Sequence, residues 1–189
     1  MRVIAGQYRS RPLRSLRGMD IRPTSDRLRE TLFNVLTAGN PDALAGSVWL
    51  DLFAGTGAVG IEALSRGAHA VYFVESSPRA AALIGENLRN LGITEGFDIQ
   101  ERDVNRALRL LDAQAVACDF CFLAPPYRMK EAYAETLGFL SQSRLLRPGS
   151  VGIAEHDKKF DPGERHGALE RFRVLRQGDA GLSFYRLSG

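Results

Sequence analysis

Gly55, Gly57 and Gly60 stand in the spacing G-x-G-x-x-G, directly after an apolar run from Val48 to Phe53. Glycines in such a turn let the backbone take unusual angles and approach a ligand closely. A helical pattern follows (Val59, Ala63, Leu64), so the turn also opens a helix. The first N–H groups of that helix are unpaired and face whatever polar or anionic group lies ahead. Glu75 comes about 20 residues after the first glycine, where a carboxylate can accept from the two hydroxyls of a ribose. Together these residues describe the floor of a nucleotide-type site. The spacing alone admits two occupants, NAD(P) and S-adenosylmethionine.

A second stretch carries different chemistry. Ala124-Pro125-Pro126-Tyr127 closes another apolar run, CDFCFL. Two successive prolines remove two N–H donors and fix two φ angles, which leaves rigid, unpaired carbonyl acceptors. Tyr127 adds an aromatic face on which a base can stack, worth about 1–3 kcal/mol. Rigid acceptors beside a stacking ring suit an amino group on a planar base. A nicotinamide enzyme does not need them. Within the same run Cys118 and Cys121 form C-x-x-C. In a strand an offset of three puts the thiols on opposite faces, so they are read as buried structural cysteines, and no metal is expected.

The elements that must hold these residues alternate strand and helix. Strands are expected at about 48–53, 71–74, 97–100, 119–123 and 150–154. Helices are expected at about 58–66, from Pro78 to Leu91 with Ser76 or Ser77 as N-cap, around Leu108 and Leu111, and at about 130–142. Leu145 to Gly149 is read as a turn into the fifth strand. Segments 169–176 and 182–187, around Gly178-Asp179-Ala180-Gly181, read as a hairpin. Repeated βα units imply a doubly wound sheet with right-handed crossovers. The expected fold is α/β, with a mostly parallel, seven-stranded, Rossmann-like sheet ending in an antiparallel hairpin. Ligands in such sheets bind beyond the C-terminal strand ends. Gly55-Thr56-Gly57, Glu75, Asp103, the 124–127 corner and Glu155 should therefore share one rim.

Residues 1–40 look different from residues 41–189. Short strands and turns suggest a small β-hairpin. A helix opened by Pro23, with Thr24 or Ser25 as N-cap, carries Leu28, Leu32, Val35 and Leu36 on one face. Arg27, Arg29, Glu30 and Asn34 lie elsewhere on it and can present arginines outward. The first 30 residues hold eight arginines and no lysine against three acids, a charge of +5 in a chain of net +3. The remainder is therefore −2. A basic arm on a near-neutral body suggests a polyanionic partner. The arginine-only composition favours phosphate, whose oxygens match the guanidinium fork. No apolar run reaches the roughly 18 residues of a membrane helix. The N-terminus has no signal-peptide core, so a cytoplasmic protein without a membrane partner is expected.

With these residues in view, LDLFAGTGAVGIEALSRGA, VYFVESSP and the PPY corner resemble class I S-adenosylmethionine-dependent methyltransferases, in the subgroup that acts on exocyclic amines of bases. VIAGQYRSRPL followed by RPTSDRLRETLFNVL is more specific. It resembles the bacterial small-subunit (16S) ribosomal RNA guanine-N2 methyltransferases, from about Arg2 to Tyr185. The resemblance implies that Asp51, Gly55 and Gly57 line the methionine part of the cofactor, that Glu75 holds the ribose and that Asp103 lies near the adenine. Phe53, Thr56 and Ser76 flank these positions and are expected in the same cofactor site. It implies that Ala124, Pro125, Pro126 and Tyr127 form the catalytic corner. It also implies 16S ribosomal RNA, free or in an assembling small subunit, as partner of a monomer, with Arg9, Arg11, Arg14, Arg22 and Arg27 as RNA contacts.

One residue departs from that family. Asp or Asn precedes its PPY, and its side-chain oxygen accepts from the substrate amine; this chain has Ala124. A guanine amine is a poor nucleophile, and acceptors aimed at its hydrogens help it pyramidalise. Losing one preorganised group typically costs about 10²–10³ in rate. Asp119 lies five residues back on the same strand, roughly 16 Å away at 3.3 Å per residue. Glu155, at the end of the neighbouring strand, is a weak substitute. Ala124 thus leaves three alternatives open: a variant active site, a slow enzyme, and a non-catalytic RNA-binding or ribosome-assembly factor on the same fold. A nicotinamide oxidoreductase rests only on the glycine spacing. His69, His156 and His166 offer it no evident acid–base group at the rim.

Overall fold

The computed structural model describes residues 1–15 and 24–188. After α1 (Asp26–Leu36) the chain runs β1 (Val48–Leu52), α2 (Ala58–Ser65), β2 (Ala70–Glu75), α3 (Pro78–Leu91), β3 (Phe97–Glu101), α4 (Val104–Ala113), β4 (Cys118–Leu123), α5 (Glu131–Leu140) and β5 (Leu146–Asp157). It ends in β6 (Arg165–His166), β7 (Leu169–Gln177) and β8 (Ala180–Leu187). Among the described residues all eight strands form one sheet in the order β3-β2-β1-β4-β5-β8-β7-β6. The first five are parallel and the last three antiparallel.

The sheet has eight strands where the pattern suggested seven. The addition, β6, is two residues long and pairs only with the start of β7, too short to carry an alternating pattern. β5 begins at Leu146, so the stretch read as a turn belongs to the strand. Pairing between β4 and β5 shifts register there, stepping from Cys118–Leu146 to Phe120–Val151.

Side chains alternate between two buried layers. Trp49, Phe73, Phe122, Ile153 and Phe184 face the layer shared with α1, α2 and α3. Leu50, Leu52, Leu123, Ala154 and Tyr185 face the layer shared with α4 and α5. Buried on both sides, β1 reads as a nearly continuous apolar run, as interior parallel strands do. Cys118 and Cys121 are both buried and unbridged, but both sit in the α4–α5 layer, not on opposite faces. The register shift next to Cys118 breaks the simple alternation that predicted otherwise.

α1 docks through Leu28, Leu32 and Phe33, and Ser25 is its N-cap, accepting from the Leu28 N–H. Trp49 stacks between Phe33 and Phe120 at centroid distances of 5.4 and 4.7 Å. Arg29, off the apolar face of α1, does not present its guanidinium outward. It is fully buried and donates to the carbonyls of Thr24 and Arg2 and to Asp26 Oδ1. Burial holds its guanidinium below the usual arginine range, with Asp26 opposing the shift. A buried charge persists only where such partners replace water. Pro23, Arg17 and Arg22 lie outside the described residues.

The expected N-terminal hairpin is a short antiparallel ladder. Val3 N–H donates to Arg11 O and Leu13 N–H to Met1 O, around a bridge between Arg2 and Pro12. Its attachment to the body is extensive. The buried Glu62 of α2 accepts from the N–H groups of Ile4 (2.7 Å) and Ala5 (3.0 Å), and also from Arg66 Nε. Asn87 of α3 exchanges bonds with Arg14, accepting its N–H at 2.8 Å and donating to its carbonyl at 3.2 Å. Val3 and Leu13 belong to the same apolar cluster as α1 to α3.

Gly60 sets how closely α2 approaches β2. A Cβ there would stand 2.3 Å from Phe73 Cε1 and 2.7 Å from Val71 Cγ1. Gly60→Ala is expected to destabilise the chain by about 1–3 kcal/mol, the usual cost of overpacking, read as a lower urea midpoint at unchanged slope.

Candidate functional site

A cavity of about 520 Å³ opens at the C-terminal ends of the parallel strands. That size lies within the range of roughly 300–1,000 Å³ usual for small-ligand sites. It is where a doubly wound sheet places ligands, next to the point at which strand order reverses between β1 and β4.

The glycine turn forms one wall. Phe53, the residue after β1, has φ +58, a region that costs a bulky side chain about 1–3 kcal/mol and tends to persist at functional sites. Gly55 (φ +56) and Gly57 (φ +74) complete the turn into α2. Phe53, Gly55 and Thr56 line the cavity. Gly57 does not. It is the N-cap of α2, and a Cβ there would press on Ile84 at 3.1 Å.

Two carboxylates hold this turn in shape. Asp51 accepts from the Gly60 N–H at 2.9 Å. Glu75, at the end of β2, accepts from Gly55 N–H through one oxygen and from Ser77 N–H through the other, both at 2.8 Å. A carboxylate oxygen has more than one lone pair, so Glu75 keeps acceptor capacity toward the cavity. Ser76 and Ser77 line the next part of the wall, Ser77 being the N-cap of α3. Asp103 caps α4, accepting from Asn105 N–H at 2.9 Å and Arg106 N–H at 3.4 Å, and is exposed at the cavity edge.

The opposite wall is Ala124, Pro125, Pro126 and Tyr127, with Arg128 and Met129 at the mouth. Ala124 N–H donates to Leu52 O, tying the start of the corner to β1. Glu155 lies on this rim as expected, and Thr24, which carries no signal in the sequence, lines the cavity beside it. Glu155 is buried at the end of β5, and the Thr24 hydroxyl donates to its Oε2 at 2.5 Å. The two positions are 131 residues apart, which no local pattern reveals.

The cavity holds three buried carboxyl groups in its wall. Asp51, Glu75 and Glu155 are all buried and all face it. Burial pushes the Asp51 carboxyl up to about 8. The Gly60 N–H opposes the rise, and the charges of Glu75 and Glu155 add to it. Three carboxylates in one water-poor space suit a cationic ligand, because an opposite charge there is repaid far more than in water. S-adenosylmethionine, with its sulfonium and ammonium, has that character. The pyrophosphate of NAD(P) has the opposite one.

The expected RNA contacts lie on the N-terminal segment and α1. Arg9, Arg11, Arg14 and Arg27 are exposed. Arg11 donates to Asn90 O at 2.7 Å, and Arg14 forms an exposed ion pair with Glu86 at 3.3 Å. Arg22 lies outside the described residues. Among the described residues no helix is long and apolar enough to cross a membrane.

Comparison with known proteins adds independent evidence. A Bacillus subtilis protein, YlbH, is 33% identical over the whole of both chains. Ribosomal RNA small subunit methyltransferase D of Haemophilus influenzae is 32% identical, over 99% of this chain and 92% of its own. The solved structure of a Thermus thermophilus hypothetical protein, TTHA0928, superposes with a TM-score of 0.82 at 30% identity, covering 97% of this chain and 98% of the other. The family model described as Conserved hypothetical protein 95 matches residues 1–186. The chain therefore belongs to the Conserved hypothetical protein 95 family, with ribosomal RNA small subunit methyltransferase D among its relatives.

Proposed function

We propose that the protein transfers a methyl group from S-adenosylmethionine to the exocyclic N2 amine of a guanine in 16S ribosomal RNA. The observation that carries this reading is the cavity itself. One wall is a glycine turn held by Asp51 and Glu75, and the other is the PPY corner. When bound, S-adenosylmethionine supplies a methyl group made electrophilic by its sulfonium. The chain's own residues do the rest. Glu75 and Asp51 hold the turn and provide negative charge toward a cation. Pro125 and Pro126 fix the corner carbonyls toward the amine hydrogens, and Tyr127 gives the base a ring to stack on. Methyl transfer is an in-line displacement, so this positioning is most of the catalysis.

Residues 1–40 form the RNA-contacting part and residues 41–189 the methyl-transfer domain, working as a monomer. The exposed arginines of the first part meet phosphate. Replacing Arg9, Arg11, Arg14 and Arg27 by alanine is expected to weaken RNA binding. It should also flatten the slope of log K against log salt, by about 0.7 for each lost contact to a single strand. Fluorescence anisotropy over a salt series measures both.

The direct test is methyl uptake from labelled S-adenosylmethionine into protein-deficient 16S RNA and into isolated small subunits. Nuclease digestion and mass spectrometry then locate the product. One N2-methylguanine is expected. RNA binding without uptake, by this chain and by Ala124→Asp alike, would mark a binding factor on the same fold and overturn the proposal.

A further inference from the structure

The amine that receives the methyl needs acceptors for its hydrogens, and position 124 offers no side-chain oxygen. The neighbouring strand does. β4 and β5 run in the register Leu123–Ala154, so one step further Ala124 lies beside Glu155. Leu123 and Ala154 both point into the α4–α5 layer. Alternation turns the next side chains the other way, and Ala124 does pack against the opposite layer. Neighbouring strands are about 4.8 Å apart, well within the reach of a glutamate side chain. Glu155 is 4% exposed and lines the same cavity as Ala124 and Tyr127. Its orientation is set from several sides. Thr24 donates to Oε2, and the Tyr133 hydroxyl donates to the Glu155 carbonyl at 2.8 Å. Arg29 donates to the Thr24 carbonyl at 3.0 Å, which fixes Thr24 in turn.

We propose that Glu155 is a catalytic residue: its carboxylate accepts from the substrate amine in the place Ala124 leaves vacant, with Thr24 as its positioning residue. This rests on the methyl-transfer reading above. In the step, the nitrogen lone pair forms the new N–C bond as the C–S bond breaks and its electron pair stays on sulfur. The nitrogen then carries one proton too many, which passes to the Glu155 carboxylate and on to solvent. A hydrogen-bonded carboxylate beside the amine also distinguishes guanine from hypoxanthine, which has no exocyclic amine to donate.

Two measurements test this. In the first, short RNA oligomers carrying one guanosine or one inosine are titrated against the protein by NMR. The unmodified chain is expected to favour guanosine about tenfold, the scale of one hydrogen bond to a charged group, and Glu155→Ala to bring the ratio near one. Equal or undetectable binding of the two oligomers by the unmodified chain overturns the proposal, as does a preference that survives in Glu155→Ala. The second is steady-state transfer to 16S RNA. Glu155→Ala should lower kcat by about 100- to 1,000-fold, and Glu155→Ala with Ala124→Asp should recover at least a tenth of the original rate. The near-isosteric Glu155→Gln should fold normally by thermal melting and still lower kcat by at least tenfold, because an amide cannot take the proton. Thr24→Val should lower kcat about tenfold at similar KM. Undiminished kcat in Glu155→Ala sinks the inference and leaves the methyl-transfer reading standing. No transfer by the unmodified chain to any RNA removes both.

Discussion

Glu75→Ala is expected to cut affinity for S-adenosylhomocysteine by at least about 100-fold. The carboxylate holds two backbone N–H groups, those of Gly55 and Ser77, in the wall of a buried cavity. Leaving each without its partner costs about 1–3 kcal/mol. Without these two bonds the free turn relaxes and binding must restore both positions, which at 1.4 kcal/mol per tenfold amounts to about 100-fold before any contact to the ribose is counted. The turn should lose shape as well as charge, so the melting temperature should fall in the same variant. Glu75→Gln separates the two contributions. Its amide keeps one acceptor oxygen but presents N–H to N–H at the other site, so an intermediate loss is expected. Isothermal titration calorimetry reads both variants. Unchanged affinity in Glu75→Ala would remove Glu75 from the cofactor site.

A second large effect concerns pH. With its carboxyl pushed up to about 8, Asp51 is mostly neutral at pH 7 in the free protein. A cation placed beside it favours the ionised form and draws the proton off. Binding of S-adenosylmethionine at pH 7 should therefore release close to one proton, and affinity should rise by up to about tenfold per pH unit from pH 6 to 8, then level. Calorimetry in buffers of different ionisation enthalpy counts the proton, and Asp51→Asn should abolish the release. Stability is linked to the same group. The folded-state value is raised above the ordinary 3.8, so the native chain binds this proton more tightly than the unfolded chain. The Asp51 contribution is complete below about pH 4 and is lost as pH climbs through about 8. Urea titrations at pH 5, 7 and 9 should show that loss in the native sequence and less of it in Asp51→Asn.

Much of the cavity could be read from sequence because its parts are local. A glycine turn, an acid at a strand end and a proline corner each occupy a few consecutive residues, and the parallel-sheet rule puts all strand ends on one rim. What sequence hid depends on register between distant segments. Glu155 was legible as a rim residue from its strand end, but its partner Thr24 is set by tertiary packing. Arg29 was one of the arginines the helix could present outward, since charge usually means exposure. Its burial follows from carbonyls of Arg2 and Thr24 that converge only in the fold. The cysteine faces were misjudged because period-two reasoning takes the pairing around a strand to be regular, and here the β4–β5 register shifts. β6 left no pattern because two residues cannot make one.

The position of β8 has a consequence for biosynthesis. It is made after the other seven described strands of the sheet, yet it occupies an interior place between β5 and β7. Chains fold from the N-terminus as they emerge, at about 5–20 residues per second. Until residues 180–187 are out, β5 has a bare edge and β7 has no route into the sheet. His156 on β5 likewise waits for the Ser183 hydroxyl, 2.9 Å from its Nε2 in the finished protein. A nascent chain halted just short of β8 would carry the whole glycine turn and PPY corner beside an open sheet edge. Such edges invite pairing with other chains. Folding during translation thus depends on a segment that contributes nothing to the cavity lining, and truncation before Ala180 should yield aggregates where loss of the two-residue edge strand β6 would not.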